Sequence, residues 1–229
     1  MDQKPKIKIL KDGPYLVSGN VPLYEEVIVV DAEDTPVKWE KKSTFPQQDR
    51  YRLCRCGGSK QKPFCDGTHS AIKFDGTETA PRKNYMELQE TTVGPELDLN
   101  DAEAYCAVAC FCHRAGDTWT LTENSDDPGK KAIAIQEACD CPSGRLVARE
   151  KVTGEPIEPS FEPSISVVQT PHLKIGGPLW IKGGIPVEAA DGYRYEVRNR
   201  VTLCCCGKSS NKPFCDGTHT KEEFNEQIS

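Results

Sequence analysis

Hydrophobic and polar positions alternate over short stretches of this chain. Tyr193, Tyr195 and Val197 are separated by charged residues, and this period of two predicts a half-buried β-strand. Residues 119–121 and 146–148 are two further candidates for short strands. The pattern therefore predicts strands at these three places.

Helix signals are concentrated in the middle of the chain. Residues 100–103 combine a capping residue with a glutamate at the third position, which predicts the start of a helix. Asp127 followed by Pro128 predicts a second helix that runs to about Cys139. The proline-rich stretch 155–163 predicts an extended and fairly stiff linker.

Two segments of the chain are nearly identical. Residues 53–69 and 203–219 both read L-C-x-C-G-x-S-x-x-K-P-F-C-D-G-T-H without a gap. A weaker similarity joins residues 13–23 to residues 177–187, so each half begins with a strand bounded by Gly-Pro and ends in the cysteine segment. The first half carries a longer stretch between these landmarks, at about 24–48. Duplication of one small unit is the simplest interpretation.

Each repeat places a histidine four residues after its third cysteine. Asp66 and Asp216 directly follow that cysteine and are well placed to cap a short helix, which would carry His69 or His219 in its first turn. We interpret the two aspartates as helix caps and hydrogen-bond acceptors rather than as metal ligands. The histidine is therefore expected one helical turn from the third cysteine.

The spacing of these residues suits metal binding. In a strand-like C-x-C, Cys54 and Cys56 project to the same side and can bind one metal atom. Cys65 and His69 are four residues apart and can bind a second metal atom. Two ligands on each of two irons are what a [2Fe–2S] centre requires. The glycine after the second cysteine would let the backbone approach the inorganic core closely.

A structural zinc site is the alternative to an iron–sulfur cluster. Three cysteines and one histidine also suit tetrahedral Zn²⁺. Zinc sites favour C-x₂₋₄-C spacing, and C-x-C is less usual for them. The spacing alone therefore leaves both metals open.

Both segments closely resemble the signature of the CDGSH iron–sulfur (NEET) family, with Thr68 and Thr218 in place of its serine. The resemblance implies that tandem motifs in one chain imitate the two protomers of the family's dimers. It also implies that the two-cysteine iron is buried and that the Cys/His iron lies nearer to solvent. It implies two [2Fe–2S] clusters, one bound by Cys54, Cys56, Cys65 and His69 and the other by Cys204, Cys206, Cys215 and His219.

The middle of the chain holds a second group of cysteines, Cys106, Cys110, Cys112, Cys139 and Cys141. The last two belong to a segment that resembles the C-P-[ST]-G tail of small bacterial ferredoxin-like domains, although the C-x₂-C-x₂-C run of ordinary [4Fe–4S] sites is absent. A helix continuing from the predicted start would separate Cys106 from Cys112 around its axis, so a site using both needs that helix to break. A third metal site, packed cysteines and a disulfide all remain open.

Composition and charge exclude several classes of protein. The chain has 29 Lys and Arg against 35 Asp and Glu, a net charge of −6, so it lacks the basic surface of a nucleic-acid-binding protein. No run of about 18 apolar residues predicts a membrane span, and the N-terminal residues do not resemble a signal peptide. We expect a cytoplasmic protein, and in that reducing compartment clustered cysteines are more often metal ligands than disulfides.

The sequence predicts an α+β fold. Two small β-rich CDGSH-type cluster-binding units related by a pseudo-twofold are expected at residues 1–80 and 155–229. A small α/β ferredoxin-like insertion is expected between them, at residues 81–154. Because no dinucleotide-binding or phosphate-binding glycine loop is present, we do not expect an enzyme.

We expect electron transfer or cluster transfer, with acid-labile histidine ligands. The expected partner is a redox protein or an apo iron–sulfur acceptor protein, and the chain is expected to be a monomer with internal pseudo-symmetry. The alternative is a zinc- or iron-stapled structural or interaction module without a redox role. Electron transfer and cluster transfer need the same ligands, so the sequence does not distinguish them.

Overall fold

The computed structural model describes residues 4–222 and residue 224, and its architecture is mixed α+β with many short strands and few helices. Within these residues the strands are β1 (Lys6–Ile9), β2 (Tyr15–Ser18), β3 (Leu23–Val30), β4 (Pro36–Thr44), β5 (Arg50–Leu53), β6 (Glu90–Val93), β7 (Leu97–Asp101), β8 (Leu146–Glu150), β9 (Pro156–Ile157), β10 (Ser164–Thr170), β11 (Ile175–Lys182), β12 (Val187–Glu188) and β13 (Arg200–Leu203). The helices are α1 (Thr68–Ala71), α2 (Tyr85–Leu88), α3 (Thr118–Glu123), α4 (Pro128–Asp140) and α5 (Thr218–Lys221), with 3₁₀ turns at Glu103–Tyr105, Phe111–His113 and Pro171–Leu173.

The two halves of the chain exchange strands. In one sheet, of order β12-β1-β2-β5, strand β12 of the second half lies parallel to β1 of the first half. In a second sheet, of order β13-β11-β10-β3-β4, strand β3 of the first half lies parallel to β10 of the second half. The two junctions match, because the amide of Ile7 donates to the carbonyl of Pro186 and the amide of Ile165 donates to the carbonyl of Pro22, each over 2.9 Å. Each half therefore completes a sheet of the other.

Both halves also share one hydrophobic core. Its buried side chains include Ile7, Ile9, Val17, Leu53, Ile165, Val167, Leu179 and Leu203.

In the second sheet, a buried ion pair joins Glu26 of the first half to Lys182 of the second over 2.6 Å, and Ser166 donates to the same carboxylate. A charge buried in a sheet must find its partner, so this pair fixes how the halves align.

The middle segment forms its own sheet, of order β6-β7-β8-β9, with α3 and α4 packed on it. The strand predicted at 146–148 is confirmed as part of β8. The helix predicted from Asp127 is confirmed as α4, whose first amides donate to the Asp127 carboxylate. The core of this segment is formed by Leu97, Leu99, Leu121, Ala134, Ala138, Leu146 and Ala148.

Two predictions for the middle segment are wrong. Residues 119–121 lie in α3 rather than in a strand, because the Asp117 carboxylate accepts hydrogen bonds from two first-turn amides and so begins a helix there. Residues 100–103 begin no helix, because β7 pairs with β8 as far as Asp101 and only a 3₁₀ turn follows. The cysteines after β7 are therefore not confined to one helix face.

Two predictions near the second cysteine segment also need correction. Residues 193–198 make one isolated bridge, and Tyr195 instead donates its amide to a carbonyl of β12. The strand that leads into the cysteines is β13, which pairs with β11. The stretch 155–163 is more than a linker, because β9 pairs with β8 and Glu158 accepts a hydrogen bond from Arg200 over 2.7 Å.

The two cysteine segments touch through their main chains. Gly57 and Gly207 have φ angles of +77° and +80°. A Cβ atom at Gly207 would lie 2.6 Å from the carbonyl oxygen of Cys56, and one at Gly57 would lie 2.9 Å from the carbonyl carbon of Cys206. Both separations are too short for real atoms, so the contact requires glycine. The close approach that the structure reveals is thus to the other segment, whereas we had expected approach to an inorganic core.

Replacing Gly57 with alanine should destabilise the fold strongly. A left-handed backbone costs alanine about 1–2 kcal/mol, and forcing the two segments apart adds about 1–3 kcal/mol. We expect the free energy of unfolding, measured by urea denaturation, to fall by about 3 kcal/mol in Gly57→Ala. Gly154→Ala is the control, since its φ is +70° and no atom lies within 4 Å of the added Cβ. Equal losses in the two variants would mean that the contact contributes nothing.

Candidate functional site

The first two cysteines of each segment hold their sulfur atoms at the separation that one metal atom requires. The Sγ atoms of Cys54 and Cys56 are 3.8 Å apart, and those of Cys204 and Cys206 are 3.6 Å apart. Two sulfurs bound at about 2.3 Å to one tetrahedral metal atom lie about 3.8 Å apart. Each of these pairs therefore fits one metal atom.

The third cysteine and the histidine form a second pair in each segment. The Sγ atom of Cys65 lies 3.3 Å from Nδ1 of His69, and that of Cys215 lies 3.3 Å from Nδ1 of His219. A sulfur and a nitrogen on one tetrahedral metal atom lie about 3.5 Å apart. The histidines occupy the first turns of α1 and α5, so the predicted helices are confirmed.

In each segment, the loop between the second and third cysteines folds back, and backbone hydrogen bonds hold the third cysteine close to the first. The amide of Cys54 donates to the carbonyl of Pro63 over 2.8 Å, and the amide of Cys65 donates to the carbonyl of Arg52 over 3.0 Å. The second half repeats both bonds, from Cys204 to Pro213 and from Cys215 to Thr202. These backbone bonds thus hold the third cysteine of each segment close to the part of the chain that carries the first.

The aspartates stabilise this loop. Asp66 accepts hydrogen bonds of 2.9 Å from the amides of Lys60 and Thr68, and these bonds hold the pKa of its carboxyl well below the usual range. Asp216 accepts the corresponding bonds from Ser210 and Thr218. Our interpretation of the aspartates as acceptors agrees with these contacts. The N-cap position itself belongs to the glycine that follows.

Two of the thiols are prepared for metal binding. The hydrogen bond from Cys56 lowers the pKa of Cys54 to about 6, and the hydrogen bond from Cys206 lowers the pKa of Cys204 to about 6. The pKa of the donating cysteine rises in each pair, because the two sulfurs share a proton. Since the thiolate is the metal ligand, a low pKa favours binding at neutral pH.

The donors of each segment fit a two-metal centre. They lie as two pairs, which is the division of ligands in a [2Fe–2S] cluster, with two protein ligands on each iron. Within residues 4–222 and 224, no three His, Cys, Asp or Glu side chains surround a single metal position.

The two segments differ in their exposure to solvent. At the second site all four donors are buried, and His219 is only 4% exposed. At the first site Cys54 is buried, whereas Cys56, Cys65 and His69 are half-buried. The expectation that the Cys/His pair lies nearer to solvent therefore fails at the second site.

The loop between β7 and α3 covers the second site. Val108 packs against Gly217 so closely that any side chain at 217 would collide with it. Residues 107–109 and Pro142 line the pocket that contains His219. The same residues line a neighbouring cavity on their other side. They therefore form a shared wall between the second site and that cavity.

The neighbouring cavity contains four of the five middle cysteines, Cys106, Cys110, Cys112 and Cys141. Cys139 lies elsewhere and donates to the carbonyl of Ile157. Burial raises the pKa of Cys112 to about 12, and the negative charge of Cys141 adds to this effect. All five cysteines are free thiols, so the disulfide alternative does not describe this structure.

The middle residue of each C-x-C points away from the metal donors. Cys205 donates to the carbonyl of Gly177 over 3.0 Å and lies in the hydrophobic core, which agrees with our interpretation of it as a bystander. Arg55 makes the corresponding bond to the carbonyl of Gly13 over 2.8 Å. The alternation of a strand-like C-x-C therefore separates the candidate ligands from the packing residues.

Sequence reasoning missed Arg200, which joins the second site to the middle segment. Its guanidinium is 1% exposed and donates to the carbonyls of Ala138 over 2.8 Å and Cys141 over 2.7 Å. A signal was present, because Arg50 occupies the same position in the first half, four residues before Cys54. Nothing in the sequence indicated that only one of the two arginines would be buried.

Known proteins share these regions of the chain. A family model described as "Iron-binding zinc finger CDGSH type" matches residues 12–70 and 176–220. Another, described as "Divergent 4Fe-4S mono-cluster", matches residues 92–151. The described part of the chain contains no helix that is long and apolar enough to cross a membrane.

The mouse (Mus musculus) protein named "CDGSH iron-sulfur domain-containing protein 3, mitochondrial" is 40% identical to this chain in an alignment of 57 residues that covers 22% of this chain and 39% of the relative. The chain thus spans well under half the length of that relative. No solved structure matches the chain. The two matched cysteine regions and this relative identify the repeated segments as tandem CDGSH iron–sulfur motifs, and the region between them is similar to a divergent 4Fe–4S family.

Proposed function

We propose that this chain is a non-enzymatic iron–sulfur protein that binds two [2Fe–2S] clusters and works in electron transfer or cluster transfer. The observation that carries the proposal is the division of each donor set into two pairs, each at a separation that suits one tetrahedral metal atom. The proposed ligands are Cys54, Cys56, Cys65 and His69 for the first cluster and Cys204, Cys206, Cys215 and His219 for the second.

The histidines give the two sites their chemical character. A bound cluster of this kind exchanges one electron, and a neutral imidazole in place of a thiolate makes its reduction easier. Each histidine directs Nδ1 to the third cysteine of its segment, which leaves Nε2 to exchange a proton. Because His69 is half-buried and His219 is buried, we expect proton exchange mainly at the first site.

The repeat supports a pseudo-twofold relation between the two cluster-binding units. Matching strand exchanges join β12 to β1 and β3 to β10, and Gly57 and Gly207 make reciprocal contacts. In this arrangement the carbonyls of Cys56 and Cys206 each touch the opposite segment. Two proposed ligands therefore lie close to each other's backbone, which favours electron exchange between the sites within a monomer.

We extend the proposal to a third cluster, of the [4Fe–4S] type, in the ferredoxin-like middle segment. Four cysteines line one cavity, and four thiolates are what such a cluster requires. Arg145 also lines the cavity and is held by Asp101 through bonds of 2.6 and 2.7 Å. Its positive charge suits an anionic cluster. The match of residues 92–151 to a divergent 4Fe–4S family supports this assignment.

The proposed setting is the cytoplasm, with a redox protein or an apo iron–sulfur acceptor protein as partner. The name of the mouse relative places that protein in mitochondria. The location of the tagged chain in its own cells would distinguish the two compartments.

Metal and sulfide content tests the cluster assignment. Protein purified without oxygen should be red-brown and contain about eight iron and eight sulfide per chain, two from each [2Fe–2S] and four from the middle site. Cys112→Ser should reduce the iron content to about four, because it removes one of the four cysteines that line the middle cavity. Cys139→Ser is the matched control and should keep the full content, since Cys139 lies outside that cavity.

Other values of the metal content would change the proposal. About four iron per chain in the unmodified protein would mean that the middle segment binds no cluster and that only the two [2Fe–2S] sites are filled. A colourless protein that contains zinc would contradict the redox role and indicate a metal-stapled interaction module instead.

Acid should release the first cluster before the second. Protonation of an imidazole competes with its binding to iron, so cluster loss should increase as pH falls. Burial lowers the pKa of His219 to about 4, which makes that histidine a weaker competitor for protons than a solvent-facing one. We expect two phases of loss in visible absorbance at about pH 5, and His69→Cys should remove the faster phase.

His219→Cys is the companion variant and should leave the faster phase in place. A thiolate in place of imidazole should also lower the potential of the altered cluster, which gives a second readout by redox titration. The assignment of the labile ligand is wrong if both variants lose their clusters at the rate of the unmodified protein.

A further inference from the structure

The first site opens into a groove that has no occupant in the described part of the chain. The groove is lined by Arg50, Arg52, Gln61, Phe64 and the proposed ligand Cys65, among others. Both arginines are exposed and project from the same face of β5. A molecule seated here would lie directly beside a cluster ligand.

The corresponding positions in the second half are occupied by the middle segment of this chain. Arg200 corresponds to Arg50 and donates to carbonyls at both 138 and 141. Asn211 corresponds to Gln61, and its amide donates to the carbonyl of residue 104 over 2.7 Å. Phe214 corresponds to Phe64 and packs edge-to-face against a tyrosine of the middle segment at 5.0 Å. The chain itself thus provides an example of what this surface binds.

The middle segment does not cover this surface in the first half, where Phe64 packs edge-to-face against Phe45 at 5.8 Å. Within residues 4–222 and 224, the side chains of Arg50 and Arg52 make no hydrogen bond or ion pair. Gly67 has no atom within 4 Å of its Cβ position, whereas the corresponding Gly217 lies against Val108. The two halves therefore carry related surfaces, in which Thr202 stands at the position of Arg52, and the middle segment covers only the second.

The docked segment contacts Arg200 and Asn211 through main-chain carbonyls, and it is acidic as a whole. Residues 81–154 contain 13 Asp and Glu against eight Lys and Arg, a net charge of −5. The open groove contributes two guanidinium groups and no acidic side chain. An acidic protein is therefore the complementary occupant.

We propose that the groove beside Cys65 docks a small acidic iron–sulfur electron carrier of the ferredoxin type, in the position that the middle segment holds at the second site. The proposal rests on the proposed function of the first cluster. One electron passes between the reduced cluster of one protein and the oxidised cluster of the other, and no bond is made or broken. The first site then exchanges electrons with partners, while the second site exchanges them within the chain.

The test uses the loaded chain and a small acidic [2Fe–2S] ferredoxin as the probe. Binding is measured by calorimetry and electron transfer by stopped-flow absorbance, both at low ionic strength. The double variant R50E/R52E should reduce the association rate constant at least about tenfold, because electrostatic steering accounts for factors of this size. Added salt should weaken the unmodified pair and have less effect on the variant.

Arg194→Glu is the matched control, because Arg194 is an exposed arginine of the second half, outside the groove. It should change the rate less than about twofold. Equal effects of R50E/R52E and R194E would overturn the proposal. A second outcome would also overturn it. If the unmodified chain forms a dimer in sedimentation and R50E/R52E abolishes that dimer, the occupant of the groove is a second copy of this chain.

Iron content and the visible spectrum of each variant separate this proposal from the proposed function. A chain without iron contradicts the proposed function whatever the calorimetry gives. A fully loaded R50E/R52E variant that still binds the ferredoxin as tightly as the unmodified chain contradicts only the docking proposal.

Discussion

The carbonyls of Cys56 and Cys206 each lie against a glycine of the opposite cysteine segment, and no larger residue fits at either contact. This approach fixes the distance between the two candidate metal sites. The exchanged strands β12 and β3 then fix their orientation, and the Glu26–Lys182 ion pair fixes the alignment of the sheets. The strand exchange and the ion pair are thus both arranged about the contact between the main chains of the two cysteine segments.

The same donor set lies in two different environments. The second site is enclosed by residues 107–109 and Pro142, and the first site remains open to solvent around His69. Burial in a low-dielectric surrounding changes both the proton affinity of an imidazole and the access of water to a metal. Two donor sets of the same residue types therefore differ in their access to solvent within one chain.

The sequence predicted the local features well, because they depend on neighbouring residues. The pairing of the candidate donors and the helices that carry His69 and His219 follow from spacing alone, and so does the helix that begins after Asp127. The sequence did not predict the strand exchange or the burial of Arg200. Both depend on contacts between residues far apart in the chain, which a repeat in the sequence cannot specify. The helix expected at 100–103 failed for the same reason, since pairing with β8 outweighed local propensity.

The burial of Arg200 against the middle segment has a consequence for affinity. A segment tethered in the same chain faces its docking surface at an effective concentration of the order of millimolar, so even a weak interface stays occupied. The copy of this surface around Arg50 has no such tether. An equally weak contact there would form and dissociate rapidly, as the proposed electron carrier requires. Covalent linkage to the middle segment can thus keep the surface around Arg200 permanently occupied, whereas the related surface around Arg50 binds its partner only transiently.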